Sequence, residues 1–86
     1  MKKLRTSDGK LNILGNRIAE LRTAINESQN GLASLLQLQG WNVHKNAISQ
    51  IEQGQRSISD IELILLARVL NVPLTDLFEN ISFEMK

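Results

Sequence analysis

Apolar residues recur at helical spacing from Ile13 to Phe78, and the breaks between them divide the chain into five helical segments. Leu14, Ile18, Leu21 and Ile25 form one stripe, which predicts a first helix. Asn26-Glu27-Ser28 interrupts it, and Ser28 offers a cap for a second helix with apolar positions at Leu32, Leu35, Leu36 and Leu38. Gly31 in its first turn costs about 0.5–1 kcal/mol relative to Ala, which points to a close approach there. Gly40 reads as its stop. A short third helix runs from about Lys45 to Gln53 and ends at Gly54. Ser59-Asp60-Ile61-Glu62 is a capping box that opens the most apolar segment, through Leu70, expected to be the buried centre. Pro73 ends it, and a last helix, roughly Leu74 to Asn80, offers Leu77 and Phe78 to the core.

The pattern is absent at both ends. Residues 1–12 are polar, basic and contain Gly9, so the sequence predicts an arm without fixed structure. The helical domain then spans 13–80, and the tail, 81–86, alternates apolar and polar residues, suited to adding a strand or to packing on a partner.

With 86 residues, one domain is the ceiling. Its apolar residues are mostly Leu and Ile, with Trp41, Phe78 and Phe83 the only aromatics, which favours an all-α bundle over a sheet. The absence of cysteine excludes disulfides, thiolate chemistry and cysteine zinc sites, and His44 alone makes no histidine cluster. We expect no metal and no cofactor. No catalytic constellation is present either: no nucleophile with a placed base, no carboxylate pair, no phosphate-binding glycine loop. No apolar run follows the basic start or approaches a membrane span, so a cytoplasmic location is expected.

The net charge of +1 hides an asymmetry. Residues 1–58 carry eight basic and four acidic side chains, and the remainder two basic and five acidic. The chain is basic in front and acidic behind. Lys2, Lys3, Arg5 and Lys10 in the arm have two readings, a solvated terminus or a contact with DNA phosphates or the minor groove.

The third helix carries the chemistry. At about 100° per residue, Ala47, Ile48 and Ile51 share one side, while Lys45, Asn46, Ser49, Gln50 and Gln53 fan over the other. A short helix with amide side chains on its outer face suits direct readout in the DNA major groove, Asn or Gln pairing with adenine and Lys reaching guanine or a phosphate. A plain solvated polar face would show the same pattern.

The order of motifs adds to this. Gly15-Asn16-Arg17-Ile18-Ala19-Glu20-Leu21-Arg22, Ser28-Gln29 with Leu32-Ala33, Ile48-Ser49-Gln50-Ile51-Glu52-Gln53-Gly54-Gln55-Arg56, Asp60-Ile61-Glu62-Leu63 through Val72, and Leu77-Phe78 follow one another over some sixty residues. Together they resemble the lambda repressor-like, or Xre/Cro-type, helix-turn-helix family. The resemblance implies a five-helix DNA-binding domain and a transcriptional regulator of the repressor class that is not an enzyme. It implies base contacts from Lys45, Asn46, Ser49 and Gln50. Phosphate contacts would come from Gln29, His44, Gln55, Arg56 and Ser57, and an internal ion pair from Arg22 and Glu52. It further implies a homodimer reading half-sites about 34 Å apart, with its contact at Leu74, Phe78, Ile81 and Phe83.

One feature departs from the family. Gln37 to His44 is longer than the three- or four-residue turn of most helix-turn-helix motifs and resembles a subgroup with an extended turn. Trp41 within it either fills the gap between helices 2 and 3 or contacts DNA backbone or a second subunit. A rival reading keeps the fold but makes the chain an antitoxin-like module that captures a protein partner through the tail, DNA binding being secondary.

Overall fold

The computed structural model describes residues 3–85, so Lys2 of the basic arm lies outside the described residues. Four α-helices, α1 (Gly15–Ala24), α2 (Gln29–Leu38), α3 (Lys45–Glu52) and α4 (Asp60–Leu70), are followed by a 3-10 helix (Leu74–Phe78). The count of five elements matches the pattern, but the last is too short for an α-helix and winds more tightly after Pro73. No helix among the described residues is long and apolar enough to cross a membrane.

The starts of α2, α3 and α4 are each satisfied by a side chain, because their first N–H groups have no partner within the helix. Ser28 Oγ accepts from the Gly31 N–H at 2.9 Å, and His44 Nδ1 from the Asn46 N–H at 3.1 Å. The capping box at α4 is complete: Ser59 Oγ accepts from the Glu62 N–H (3.2 Å), and the Glu62 carboxylate from the Ser59 N–H (2.9 Å). Asn71, in the left-handed conformation, ends α4 two residues before Pro73.

Every element sends at least one side chain to a single core: Ile18, Leu32, Leu36, Ile48, Ile51, Leu66, Leu70 and Leu77 are fully buried. Several apolar residues that the pattern assigns inward are not. Leu38, the last residue of α2, is 82% exposed, and Ile25 lies at the surface past the end of α1. Helix α4 is apolar on more than one face, and its neighbours cover only Leu66, Ala67 and Leu70 fully, leaving Ile61 and Ile64 exposed. Phe78 is also exposed: three residues per turn place it about 120° from buried Leu77.

The N-terminal segment differs from the arm without fixed structure that its composition suggests. Thr6 is buried, its N–H donates to Lys10 O (3.0 Å), and the Gly9 N–H donates to Thr6 O (2.9 Å), folding residues 6–10 into a turn. Thr6 Oγ1 bonds the Asp8 carboxylate and accepts from the Lys10 N–H. The tail pairs with this turn, through an antiparallel bridge between Thr6 and Met85 and the Ser7 N–H to Glu84 O bond at 2.6 Å. Composition misses this because the bonds join residues nearly eighty positions apart.

Candidate nucleic-acid interface

Helix α3 is held from behind by the core and from both ends by polar contacts. Ile48 and Ile51 are buried against the bundle. At the near end of α1, Gly15 packs directly on the carbonyls of Ile51 and Glu52: a Cβ there would lie 2.6 Å from Ile51 O and closer still to Glu52 O. Only a residue without a Cβ lets the two helix ends approach this far.

The Arg22 guanidinium grips the Glu52 carboxylate at two points, 2.7 and 3.0 Å, and also donates to Glu27 O at 2.9 Å. Both side chains are largely buried, 17% and 8% exposed. The hydrogen bond to Glu52, opposed by burial, raises the Arg22 pKa above its ordinary value. Gln29 Nε2 adds a third bond to Glu52 at 3.0 Å. A two-point ion pair across α1 and α3, joined by the first residue of α2, fixes relative orientation more than it contributes stability.

Residues 39–44 form the extended turn between α2 and α3. Gly40 adopts φ +94°, the Trp41 N–H donates to Leu36 O (3.1 Å), and Gln37 Nε2 donates to Val43 O (2.8 Å). Val43 is buried and the half-buried Trp41 packs on the core, so the longer turn is anchored at both of these residues. The Arg56 guanidinium lies over the indole, 5.7 Å from its centroid. Trp41 thus packs on the core with part of its surface still open.

On the outward side, Lys45, Asn46, Gln50 and Gln53 are exposed and Ser49 is half-buried. Ser49 Oγ accepts from Gln53 Nε2 at 2.8 Å. Among the described residues, the side chains of Lys45, Asn46 and Gln50 enter no hydrogen bond within the chain; the bond at the His44 cap is made by the Asn46 backbone. Two free amides at i and i+4 thus stand beside a free ammonium on a helix with a rigid back.

The remaining sequence candidates are placed less simply. Gln55 and Ser57 are exposed in the loop after α3. His44 uses Nδ1 on its own helix cap, and Gln29 turns its amide toward Glu52, leaving its backbone at the start of α2 for an anion. Arg56 is already engaged: both terminal nitrogens bond the Glu62 carboxylate at 2.9 Å, and Nη1 also donates to Ser57 O. Glu62 raises the Arg56 pKa, and Arg56 holds the Glu62 carboxyl below its ordinary value, with the Ser59 N–H assisting. With Nε and one Nη2 hydrogen still unspent, the guanidinium keeps donors for one further acceptor. Leu74, Phe78 and Phe83 are exposed, whereas Ile81 is half-buried against the core.

Sequence reasoning missed three contributors. Asn12 and Lys10 reach the end of α3 from the N-terminal segment, and Glu62 doubles as cap partner and ion-pair partner. Asn12 carried a faint signal, an Asx residue two positions before the first buried apolar residue; its long-range partners carried none. Among the described residues no group of His, Cys, Asp and Glu could hold a metal ion.

A helix-turn-helix with a free polar face on its second helix is a DNA-binding architecture, and the comparisons agree. The helix-turn-helix family model HTH_3 matches residues 18–77, most of the chain, which therefore belongs to that family. Among solved structures it is similar to the restriction-modification controller protein C.AhdI from Aeromonas hydrophila. The two are 34% identical, with a TM-score of 0.67, over 76% of this chain and 87% of the other. It is similar at 27% identity to the biofilm regulator SinR, solved in complex with DNA, with a TM-score of 0.65, over 77% and 98% of the two chains. An HTH_3 family transcriptional regulator from Vibrio cholerae, also 27% identical with a TM-score of 0.67, is matched over 78% of this chain but only 35% of its own. No curated protein matches the sequence significantly. The chain is a DNA-binding regulator of this family, whose members here are not enzymes.

Proposed function

We propose that the chain is a cytoplasmic, sequence-specific transcriptional repressor that lays α3 in the major groove of double-stranded DNA. The observation that carries this reading is the free face of Lys45, Asn46 and Gln50 on a helix immobilised from behind. Asn46 and Gln50 pair with adenine edges, Lys45 reaches guanine or the adjacent phosphate, and Ser49, shared with Gln53, supports the centre. Gln29, His44, Gln55, Arg56 and Ser57 flank that face and set register on the phosphates. SinR bound to DNA supports the mode of action.

Two copies act together, each domain of residues 13–80 reading a half-site, with Leu74, Phe78, Ile81 and Phe83 at the contact between them. The exposed Leu74, Phe78 and Phe83 side chains favour this. The same exposure, together with that of Met85 in the tail, favours a second reading, an antitoxin-like hold on a protein partner through the tail. In vitro selection from random duplex DNA at about 100–150 mM salt, with sedimentation on the winning duplex, tests the proposal. A two-fold symmetric consensus bound by two chains is the expected result. No enrichment would refute it, and a chain ending at Asn80 that still binds DNA but loses a protein partner would establish the second reading.

A further inference from the structure

The C-terminal end of α3 has the usual deficit of a helix end, carbonyls with no N–H ahead of them. Part of it is met locally: the Gly54 N–H donates to Ile51 O at 3.0 Å and the Gln55 N–H to Gln50 O at 2.8 Å. Further donors come from the N-terminal segment, some forty residues away in sequence. Lys10 Nζ donates to Gln53 O (2.8 Å), the Leu11 N–H to Gly54 O (2.8 Å), and Asn12 Nδ2 to both Ile51 O (3.0 Å) and Arg56 O (2.8 Å).

Asn12 is the specific part of this arrangement. Its Oδ1 accepts from the Leu14 N–H at 2.9 Å, so the amide cannot be turned over without setting an oxygen against two carbonyls and an NH2 group against an N–H. One side chain therefore joins the start of α1, the last turn of α3 and the loop bearing Gln55, Arg56 and Ser57. It lies outside residues 18–77, the span matched by the family model.

We propose that Asn12 is a positioning residue for the base-reading helix, fixing where α3 ends and where the phosphate-facing loop begins. This rests on the DNA-reading role given to α3 above. A reading face needs its supporting contacts to hold it within about 0.5 Å, and Asn12 supplies the donors that pin the end of that face to α1. Asn12→Asp retains the shape and the acceptor for Leu14 but removes both donors and places a carboxylate oxygen against two carbonyls. Asn12→Ala removes all three bonds without adding charge.

Both variants of the full chain are tested by native-state hydrogen exchange and by competition binding on the selected duplex, its single-base variants and an unrelated duplex. Exchange at the Gly54 and Gln55 amides is expected to rise about tenfold, with the α4 amides from Leu66 to Leu70 unchanged. The preference for the selected duplex over single-base variants is expected to fall about tenfold in both variants, while affinity for unrelated DNA, set by phosphate contacts of which only the loop after α3 loses its tie, falls by clearly less than that in Asn12→Ala. Exchange rising equally in α3 and α4, or an unchanged base preference in a folded variant, would overturn the proposal. If the wild type itself shows no base preference, the reading role of α3 fails and the proposal falls with it. The exchange pattern then shows separately whether Asn12 holds the helix end.

Discussion

Gly15 and Gly31 both occupy the first turn of a helix, and helix propensity alone predicts that Ala at either would stabilise the protein by up to about 1 kcal/mol. The surroundings predict opposite signs. At Gly15 the added methyl would lie 2.6 Å from Ile51 O and 2.8 Å from the Glu52 carbonyl carbon, both backbone atoms of α3. Restoring an ordinary separation of about 3.5 Å requires the helix ends to part by roughly 0.5–1 Å. Overpacking of this kind costs about 1–3 kcal/mol. With about 2 kcal/mol as the middle of that range and a propensity gain of up to about 1, Gly15→Ala should lose about 1 kcal/mol, a fall in Tm of roughly 4–8 °C for a chain of this size. At Gly31 the methyl would meet the Glu27 carboxylate, the far end of a flexible side chain that can swing away. Gly31→Ala should therefore be neutral or raise Tm by a few degrees. Thermal unfolding of both variants followed by circular dichroism decides the matter. A Gly15→Ala protein as stable as wild type, or two variants shifted alike, would refute the argument that α1 and α3 meet through an obligatory glycine.

Two further outcomes are expected. Glu52→Ala leaves Arg22 in a largely buried site with only Glu27 O, and Gln29 Nε2 without its partner, so urea unfolding should show a loss of about 3 kcal/mol. The apolar pair Arg22→Met with Glu52→Leu should recover most of it; failure to recover would mean that the pair contributes net stability. Because Arg56 holds the Glu62 carboxyl below its ordinary value of 4.5, that contribution is complete above about pH 4.5 and is lost as pH falls through the lowered value. Unfolding free energy should thus decline on acidification below pH 4.5, and Glu62→Gln should shallow the decline. Identical slopes in the two proteins would contradict this.

The parts of the fold legible in the sequence were those whose cause is local. The capping box at Ser59 and Glu62, the cap at Ser28 and the buried faces Leu14–Ile18 and Ile48–Ile51 each follow from spacing within one turn or two. What stayed hidden depends on pairing over distance. Nothing in residues 1–12 announces that Thr6 is buried beneath the tail or that Asn12 closes the end of α3. Apolarity alone likewise does not separate buried Leu66 from exposed Ile61 and Ile64, because the choice is made by the neighbours of α4. At the site, exposure of Lys45, Asn46 and Gln50 follows from the helical period, whereas the engagement of Arg56 by Glu62 and Trp41 does not.

Base reading by α3 is tested most directly by measuring affinities of wild type, Asn46→Ala and Gln50→Ala for the selected duplex and for each of its single-base variants. Each substitution should remove discrimination of about 1–3 kcal/mol at one base position per half-site and leave the other positions as they were. Uniform weakening at every position, or no change at any, would contradict the assignment of this face to the major groove.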